Sequence, residues 1–216
     1  MKCAQEQDAV VILWDSEKKF SKGRFEKMGG KPEDLLTVNT NTIINGIKGV
    51  ALLVHAIKEA DPDQKILIVW DSVGGSVNSS EDNEENEDYS KAPGTTAREV
   101  SYAVRKLNKL INQYINKETG KDSISVLLIN QSYASLMAMG APTQVAKGGT
   151  EITYLSSLIL ELSRKGDLTR TRQGNKYKYG IVSRAKVVKN HLSDSQSETI
   201  AELDIVVSAD GIQLAK

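Results

Sequence analysis

The sequence predicts an α/β fold: a mostly parallel sheet flanked by helices, with an antiparallel hairpin extension towards the carboxyl end. Apolar runs rich in β-branched residues recur at 9–14, 66–70 and 125–130, as in strands buried on both faces of a parallel sheet. Helical patterns separate these runs, so right-handed crossovers join the strands. After residue 157, short apolar or alternating segments separated by glycine and serine favour the antiparallel extension.

The composition indicates one globular domain over residues 1–216. Of these residues 39% are hydrophobic and 26% are charged, and the chain is long enough for a substantial core. A single cysteine, Cys3, excludes a disulfide framework and is typical of a reducing cytosol, so a cytoplasmic location is expected. No apolar run approaches the roughly 18–20 residues that span a bilayer, so no membrane partner is expected.

The amino-terminal elements alternate strand and helix. Residues 1–7 resemble the last turns of a helix and lead directly into the strand at 9–14, and so abrupt a start predicts a truncated domain. A short basic helix over 20–28 ends at paired glycines, and a short strand follows at 35–38. Residues 42–58 are predicted to be helical because apolar residues recur at spacings of three and four.

The strand at 66–70 runs into Asp71-Ser72 and then into Gly74-Gly75. An acid at the carboxyl end of a buried strand lies where open α/β sheets bind their ligands. In nucleotide sites such an acid holds magnesium, directly or through water. A strand that simply ends and turns at the paired glycines is the competing interpretation.

The middle of the chain contains a long polar loop. Residues 77–96 include six acids between 81 and 88 and are expected to be mobile. Thr95 or Thr96 can cap the next helix, predicted over 97–116 from its apolar stripe. The elements predicted after it are a strand at 125–130, a second mobile loop at 132–149, a helix at 151–157, and strands at 158–162, 176–181, 185–188 and 205–207.

Five segments together resemble the ATPase core of RecA-type recombinases, including the phage relatives. The resemblance extends from Ala9 to about Gly211 and implies a P-loop NTPase fold. Each motif is weak to moderate alone, but their order and spacing are those of the family. The segments are ILWDSE at 12–17, ILIVWDSVGG at 66–75, LLINQ at 127–131, KGGTEITYLSSLILELSRKG at 147–166 and SRAKVVKNH at 183–191.

The resemblance implies a site for ATP and Mg²⁺. Glu17 matches the glutamate that activates the attacking water, with a surface acid in a turn as the alternative. Asp71 matches the Walker B acid that holds the magnesium through water, with Ser72 behind it. Gln131 matches the glutamine that senses the γ-phosphate and couples ATP to DNA, with an ordinary polar strand end as the alternative.

Two basic positions are implied to act across a subunit interface. Lys189 and His191 match residues that reach the ATP of a neighbouring subunit and neutralise charge on its phosphates. The family usually has lysine at the second position, so His191 would carry full charge only when protonated. This role implies self-association or contact with the subunits of a RecA-like filament.

The resemblance also implies contacts with single-stranded and double-stranded DNA. Residues 132–149 match the second DNA-binding loop, and Gly148 and Gly149 match its closing glycines. Acids in 77–96 would repel phosphate, so the tip of that first loop is not expected to touch DNA. The basic region at 163–191 is implied to hold duplex or displaced strand through Arg164, Arg184 and Lys186, with a solvated basic hairpin as the alternative.

One family motif does not occur in the sequence. No G-x-x-x-x-G-K-[ST] segment is present, and in the family that phosphate-binding loop lies just upstream of where this chain begins. Its strand, which lies between those matching 125–130 and 158–162, is therefore missing. We expect the sheet to close over the gap, or another segment or chain to fill it.

The function that follows is DNA recombination and repair. Family members form ATP-dependent filaments on single-stranded DNA and exchange strands, whereas this chain is expected to bind ATP poorly and to hydrolyse little. A non-catalytic RecA-like module that binds DNA or regulates a filament fits the sequence equally well. A helicase or circadian-type ATPase of the same fold is a third possibility, and the KVVKN segment at 186–190 argues against it.

Overall fold

A computed structural model describes residues 1–79, 94–117, 120, 122–135, 143–146, 148–192, 200–208 and 211–214. The acidic run at 81–88 and the centre of the second loop at 136–142 lie outside the described residues. The chain divides into two compact units, one of residues 1–21 and 30–155, the other of 22–29 and 156–216. Each unit is described by itself.

The described part of the chain contains two long helices, α3 and α4, and three short ones. They are α1 (Lys2–Gln5), α2 (Lys22–Lys27), α3 (Ile43–Ala60), α4 (Thr95–Gln113) and α5 (Glu151–Leu155), with α2 in the second unit. The predicted cap of α4 was wrong: its N-cap is Gly94, in the left-handed conformation with φ 85°. No described helix combines the length and the apolar composition needed to cross a membrane.

The first unit contains the predicted parallel sheet. Its strands are β1 (Val10–Asp15), β2 (Leu35–Val38), β3 (Ile66–Asp71) and β4 (Ile124–Ile129), all parallel, in the order β2-β1-β3-β4. The register pairs Asp15 with Asp71, so the acids at the two strand ends are neighbours. The continuous apolar runs therefore predicted the sheet correctly.

A tryptophan pair lies at the centre of the core between this sheet and helices α3 and α4. Trp14 and Trp70 are fully buried and stack with ring centroids 4.0 Å apart and planes 10° apart. A Cβ at Gly46 of α3 would lie 1.9 Å from the Trp14 ring. Only glycine fits this position, because the helix backbone contacts the indole directly.

The expected closure of the gap beside β4 is not seen among the described residues. There β4 pairs with β3 alone, and Leu127 and Ile129 on it are 49% and 40% exposed. The segment 158–162, expected near this edge, belongs to a different sheet. It forms the beginning of β7 and pairs antiparallel, because its partner is the adjacent strand of a hairpin.

The second unit contains the predicted antiparallel extension. Its strands are β7 (Leu158–Arg172), β8 (Asn175–Asn190), β9 (Ile200–Ser208) and β10 (Gly211–Leu214), in the order β10-β9-β8-β7. Gln173 and Gly174 form a two-residue turn with φ 50° and 79°, the positive values of a tight hairpin. The segments predicted at 176–181 and 185–188 are one continuous strand.

A separate two-stranded ribbon lies within residues 132–149, so the prediction of a loop over this whole segment was wrong in part. Strands β5 (Ser132–Ser135) and β6 (Thr143–Ala146) pair antiparallel in the first unit. The predicted mobility of the loop stays a prediction.

Candidate nucleotide and DNA sites

The carboxyl ends of β1 and β3 are joined by a pair of buried serines. Ser16 Oγ donates a hydrogen bond to the Ser72 carbonyl at 2.8 Å and accepts one from the Ser72 N–H at 2.9 Å. The Ser16 N–H also donates to the Asp71 carbonyl at 2.8 Å. Both serines are at most 3% exposed, so this link is shielded from water. It fixes the strand ends that carry the acidic side chains.

Glu17 is held from two sides. Its Oε1 accepts a hydrogen bond from Ser72 Oγ at 2.9 Å, and its Oε2 forms an ion pair with Lys19 Nζ at 2.6 Å. A Cβ at Gly75 would lie 2.5 Å from Glu17 Cγ, so the glycine leaves room for this carboxylate. The sequence predicted Glu17 and Ser72 as site residues, and the structure brings their side chains into contact.

The neighbouring acids Asp15 and Asp71 differ in their environments. Asp15 accepts hydrogen bonds from the backbone N–H groups of Lys19 and Phe20 at 3.1 and 2.9 Å. Within the described part of the chain, no hydrogen bond reaches the Asp71 carboxylate. Partial burial, together with the charges of Asp15 and Glu17, raises the pKa of Asp71. Asp71 is therefore the acid that a cation would stabilise most.

These residues fit one half of a magnesium-nucleotide site. Asp71 supplies a carboxylate without a competing hydrogen bond, and Mg²⁺ prefers one or two carboxylates with waters and phosphate oxygens. No group of three or more His, Cys, Asp or Glu among the described residues could hold a metal ion by itself. The site is also net negative, so the remaining ligands would have to come from a bound phosphate chain and water.

Gln131 follows β4 at the same edge of the sheet. The register pairs Ile129 with Asp71, which places Gln131 two residues beyond the strand end next to that acid. Its N–H donates to Asn130 Oδ1 at 2.9 Å, and the side chain is exposed. Glu17, Asp71 and Gln131 thus lie at the carboxyl ends of three adjacent strands. Their roles towards phosphate stay predictions.

Lys189 and His191 lie at the end of β8 in the second unit. Lys189 pairs with Ile159 across the β7–β8 ladder, and the His191 N–H donates to the Ser157 carbonyl at 2.8 Å. The His191 side chain is exposed. Their expected action on a neighbouring subunit concerns a second copy of the chain and stays a prediction.

A basic pocket lies beside the amino-terminal half of α4. The cavity has a volume of about 320 Å³ and is lined by Arg98, Ser101, Arg105, Ala97, Gly149 and Thr150. Arg105 also pairs with Glu151 of α5 at 3.5 Å. The guanidinium and hydroxyl groups are the donors that bind phosphate oxygens, so this pocket can hold a phosphodiester backbone.

The predicted glycines form one wall of the same region. Gly148 and Gly149 have φ of 96° and 82°, in the left-handed region that favours glycine. A Cβ at Gly148 would lie 2.8 Å from Val100 Cγ1, so glycine lets this loop end pack against α4.

The three α4 residues were missed from the sequence. Arg98, Ser101 and Arg105 are spaced by three and four residues, which places them along one helix stripe beside the apolar one. That polar stripe, directly after the first loop, was the available signal.

The structure does not bring the three predicted basic residues of the hairpin together. Arg184 and Lys186 are two residues apart on β8 and therefore lie on the same face of the sheet. Arg164 pairs with Ser183, the neighbour of Arg184, and therefore lies on the opposite face. Arg164 and Lys178 both contact Asp167, and their hydrogen bonds lower the pKa of that carboxyl. Two of the predicted side chains therefore share a surface, and the third is paired locally.

Comparison with known proteins identifies the family to which a chain of this fold belongs. The RecA N-terminal domain family matches residues 1–213, so the chain belongs to the RecA family. It is 26% identical over 202 residues to Protein RecA of Gloeothece citriformis, covering 94% of this chain and 51% of that protein. It is 27% identical over 203 residues to Protein RecA of Aquifex aeolicus, covering 94% and 52%.

The chain spans about half the length of the curated relatives it matches. Among solved structures it is similar to the RadB recombinase, with a TM-score of 0.56 and 18% identity. That match covers 98% of this chain and 81% of the other. It confirms the predicted RecA-like fold.

Proposed function

We propose that this chain acts in DNA recombination and repair by binding the backbone of single-stranded DNA. The basic pocket carries the proposal, because two arginines and two hydroxyl side chains line one cavity of the first unit. Contacts to phosphate hold a nucleic acid in register without reading its sequence. Membership of the RecA family supports the same function. Arg184 and Lys186 would add a surface for duplex DNA.

The proposal extends to nucleotide binding at the ends of the parallel strands. The resemblance implies that filament formation depends on ATP and Mg²⁺. Asp71 would hold a magnesium-bound water, Glu17 would orient the attacking water, and Gln131 would contact phosphate. The sequence has no G-x-x-x-x-G-K-[ST] segment, and the strand-end acids repel phosphate. We therefore expect weak ATP binding by this chain alone.

The remaining parts of the proposal concern assembly and location. Residues 1–216 are proposed to serve as one RecA-like core, with 163–191 as its basic hairpin region. Lys189 and His191 are proposed to contact a neighbouring subunit of a RecA-type filament. A cytoplasmic location is proposed from the single cysteine, Cys3.

Fluorescence anisotropy with a labelled oligo-dT strand tests the DNA site. Replacing Arg98 and Arg105 together with alanine should weaken binding about tenfold or more. The slope of log affinity against log salt should also fall by about 1.4, since each lost phosphate contact contributes about 0.7 on single strands. A Lys65→Ala, Lys117→Ala variant loses the same charge elsewhere and serves as control. An unchanged salt slope in the arginine variant would contradict the proposal.

A regulatory module is the second candidate, favoured by the ion pair between Glu17 and Lys19, which engages the carboxylate that would otherwise orient the attacking water. ATP hydrolysis with and without single-stranded DNA separates the two. DNA-stimulated turnover that Glu17→Gln abolishes would establish a catalytic site. Salt-sensitive DNA binding that is independent of nucleotide, without turnover, would establish the non-catalytic module.

A further inference from the structure

A second cavity lies between helices α3 and α4, and it shares no lining residue with the basic pocket. Its volume is about 200 Å³. Ile47, Ala51 and Leu110 provide its apolar surface, and the first and last of these are buried to 5% exposure or less. The other lining residues are polar or aromatic: Lys48, His55, Tyr102, Lys106, Lys109 and Gln113. None of the nine lining residues is acidic.

The polar lining residues follow the helix repeat. Tyr102, Lys106, Lys109 and Gln113 are spaced by four, three and four residues, so they form one stripe along α4. Lys48 and His55 are two turns apart on α3, and Leu52 between them is 71% exposed. The cavity is therefore part of a groove with an apolar floor and two basic walls.

The lysines of this groove are available for a ligand. Lys48, Lys106 and Lys109 form no salt bridge within the described part of the chain, and all three are exposed. Lys106 Nζ lies 5.6 Å from the centre of the Tyr102 ring, which orients this ammonium without neutralising it. His55 Nδ1 lies 2.6 Å from the Tyr114 hydroxyl oxygen at the far end.

We infer that this groove binds an acidic amphipathic helix of a partner protein. Apolar anchors of such a helix would contact the floor, and its flanking carboxylates would pair with the lysines on both walls. A DNA backbone fits less well, because it offers phosphates but no apolar side for the floor. The lining residues run from Ile47 to His55 on α3 and from Tyr102 to Gln113 on α4, spans of about 12 and 16 Å, which is enough for two to three turns of a docked helix.

A fluorescein-labelled amphipathic peptide of about 18 residues, with leucines spaced by three and four and glutamates beside them, is the probe. Its anisotropy is titrated with the full chain. The variant Lys48→Glu, Lys106→Glu, Lys109→Glu should weaken binding about tenfold or more, because three charge reversals replace attraction to the peptide carboxylates with repulsion. A control with Lys22→Glu, Lys65→Glu, Lys117→Glu carries the same charge change and should bind within about twofold of the unaltered chain.

Three outcomes would overturn the inference. If the control variant weakens peptide binding equally, the acidic peptide is attracted by the positive charge of the whole surface and not by the groove. Equal binding of a sequence-scrambled peptide would show that the amphipathic pattern is not recognised. If oligo-dT displaces the peptide from the unaltered chain and the groove variant also loses its own affinity for labelled oligo-dT, the groove is a DNA site. Circular dichroism of each variant confirms folding. Sedimentation velocity tests whether the groove holds a second copy of this chain: a dimer that the groove variant dissociates would also overturn the inference.

Discussion

Replacing Gly46 with alanine tests the packing of α3 against the sheet. The new Cβ would lie 1.9 Å from the Trp14 ring, where ordinary carbon contacts are about 3.5–4.0 Å. Helix or indole must therefore move by roughly 1.5 Å. Trp14 cannot yield easily, because it is fully buried and stacked on Trp70. Overpacking of this kind costs about 3 kcal/mol, and the better helix propensity of alanine returns about 1 kcal/mol. The net loss is about 2 kcal/mol.

Urea denaturation followed by tryptophan fluorescence measures this loss. The chain has only two tryptophans, both in this core, so the signal reports the first unit. At a slope of about 2 kcal/mol per molar urea, the midpoint should fall by about 1 M. Gly49→Ala is the matched control: it lies three residues further along α3, with Val38 Cγ1 at 3.0 Å as its nearest contact. It should stay within about 1 kcal/mol of the unaltered chain. A Gly46→Ala chain as stable as this control would refute the reasoning.

Three further changes test the sites and the core. Gly148→Ala should weaken oligo-dT binding several-fold in anisotropy, because a side chain at φ 96° and 2.8 Å from Val100 must displace the loop end; unchanged affinity would show that the glycine is not needed. Asp71→Asn should raise the urea midpoint at pH 7. The folded state binds the Asp71 proton more tightly than the unfolded state, so ionised Asp71 costs stability once the pH rises above the ordinary Asp value of about 3.9. The advantage of the asparagine should therefore shrink as the pH falls through the raised pKa of Asp71 and be gone below about pH 3.9. Lys58→Met should destabilise the first unit by about 1–3 kcal/mol in the same urea assay, because Lys58 Nζ donates to the Pro62 and Gln64 carbonyls and to Ser123 Oγ. A loss below about 0.5 kcal/mol would mean that water replaces these bonds.

The parallel sheet could be predicted because its strands are almost purely apolar, although only the central strands β1 and β3 are buried on both faces as expected. The predicted burial of β4 on both faces was wrong, since alternate residues of that strand are exposed. The antiparallel hairpin was also predicted, but the length of β7 was not, since much of this strand beyond Leu162 is polar and exposed. Its strand conformation there follows from pairing with β8, not from burial. The cap of α4 was mispredicted because Gly94, with its positive φ, precedes the threonines that usually serve.

The acidic strand ends were predictable for a simple reason: parallel strands bring their carboxyl ends to one edge. The arginines of the basic pocket were harder to predict, because the apolar stripe of α4 dominates its sequence pattern. The polar stripe beside it matches no known binding motif. The separation of Arg164 from Arg184 depends on ladder register, which alternates side chains between faces. The register is set by which residues of the two strands pair, and the spacing of residues along the sequence does not reveal it.

The serine link between β1 and β3 has a mechanical consequence. The Ser16 hydroxyl donates one of its two hydrogen bonds and accepts the other, both with the backbone of Ser72. Sliding or tilting one strand end against the other therefore breaks both bonds together. Glu17 follows the first serine directly, and Asp71 precedes the second, so both acids are attached to this rigid joint. The spacing of the two carboxylates should therefore persist while the segments beyond them rearrange, which makes this edge a fixed reference point for any motion of the chain.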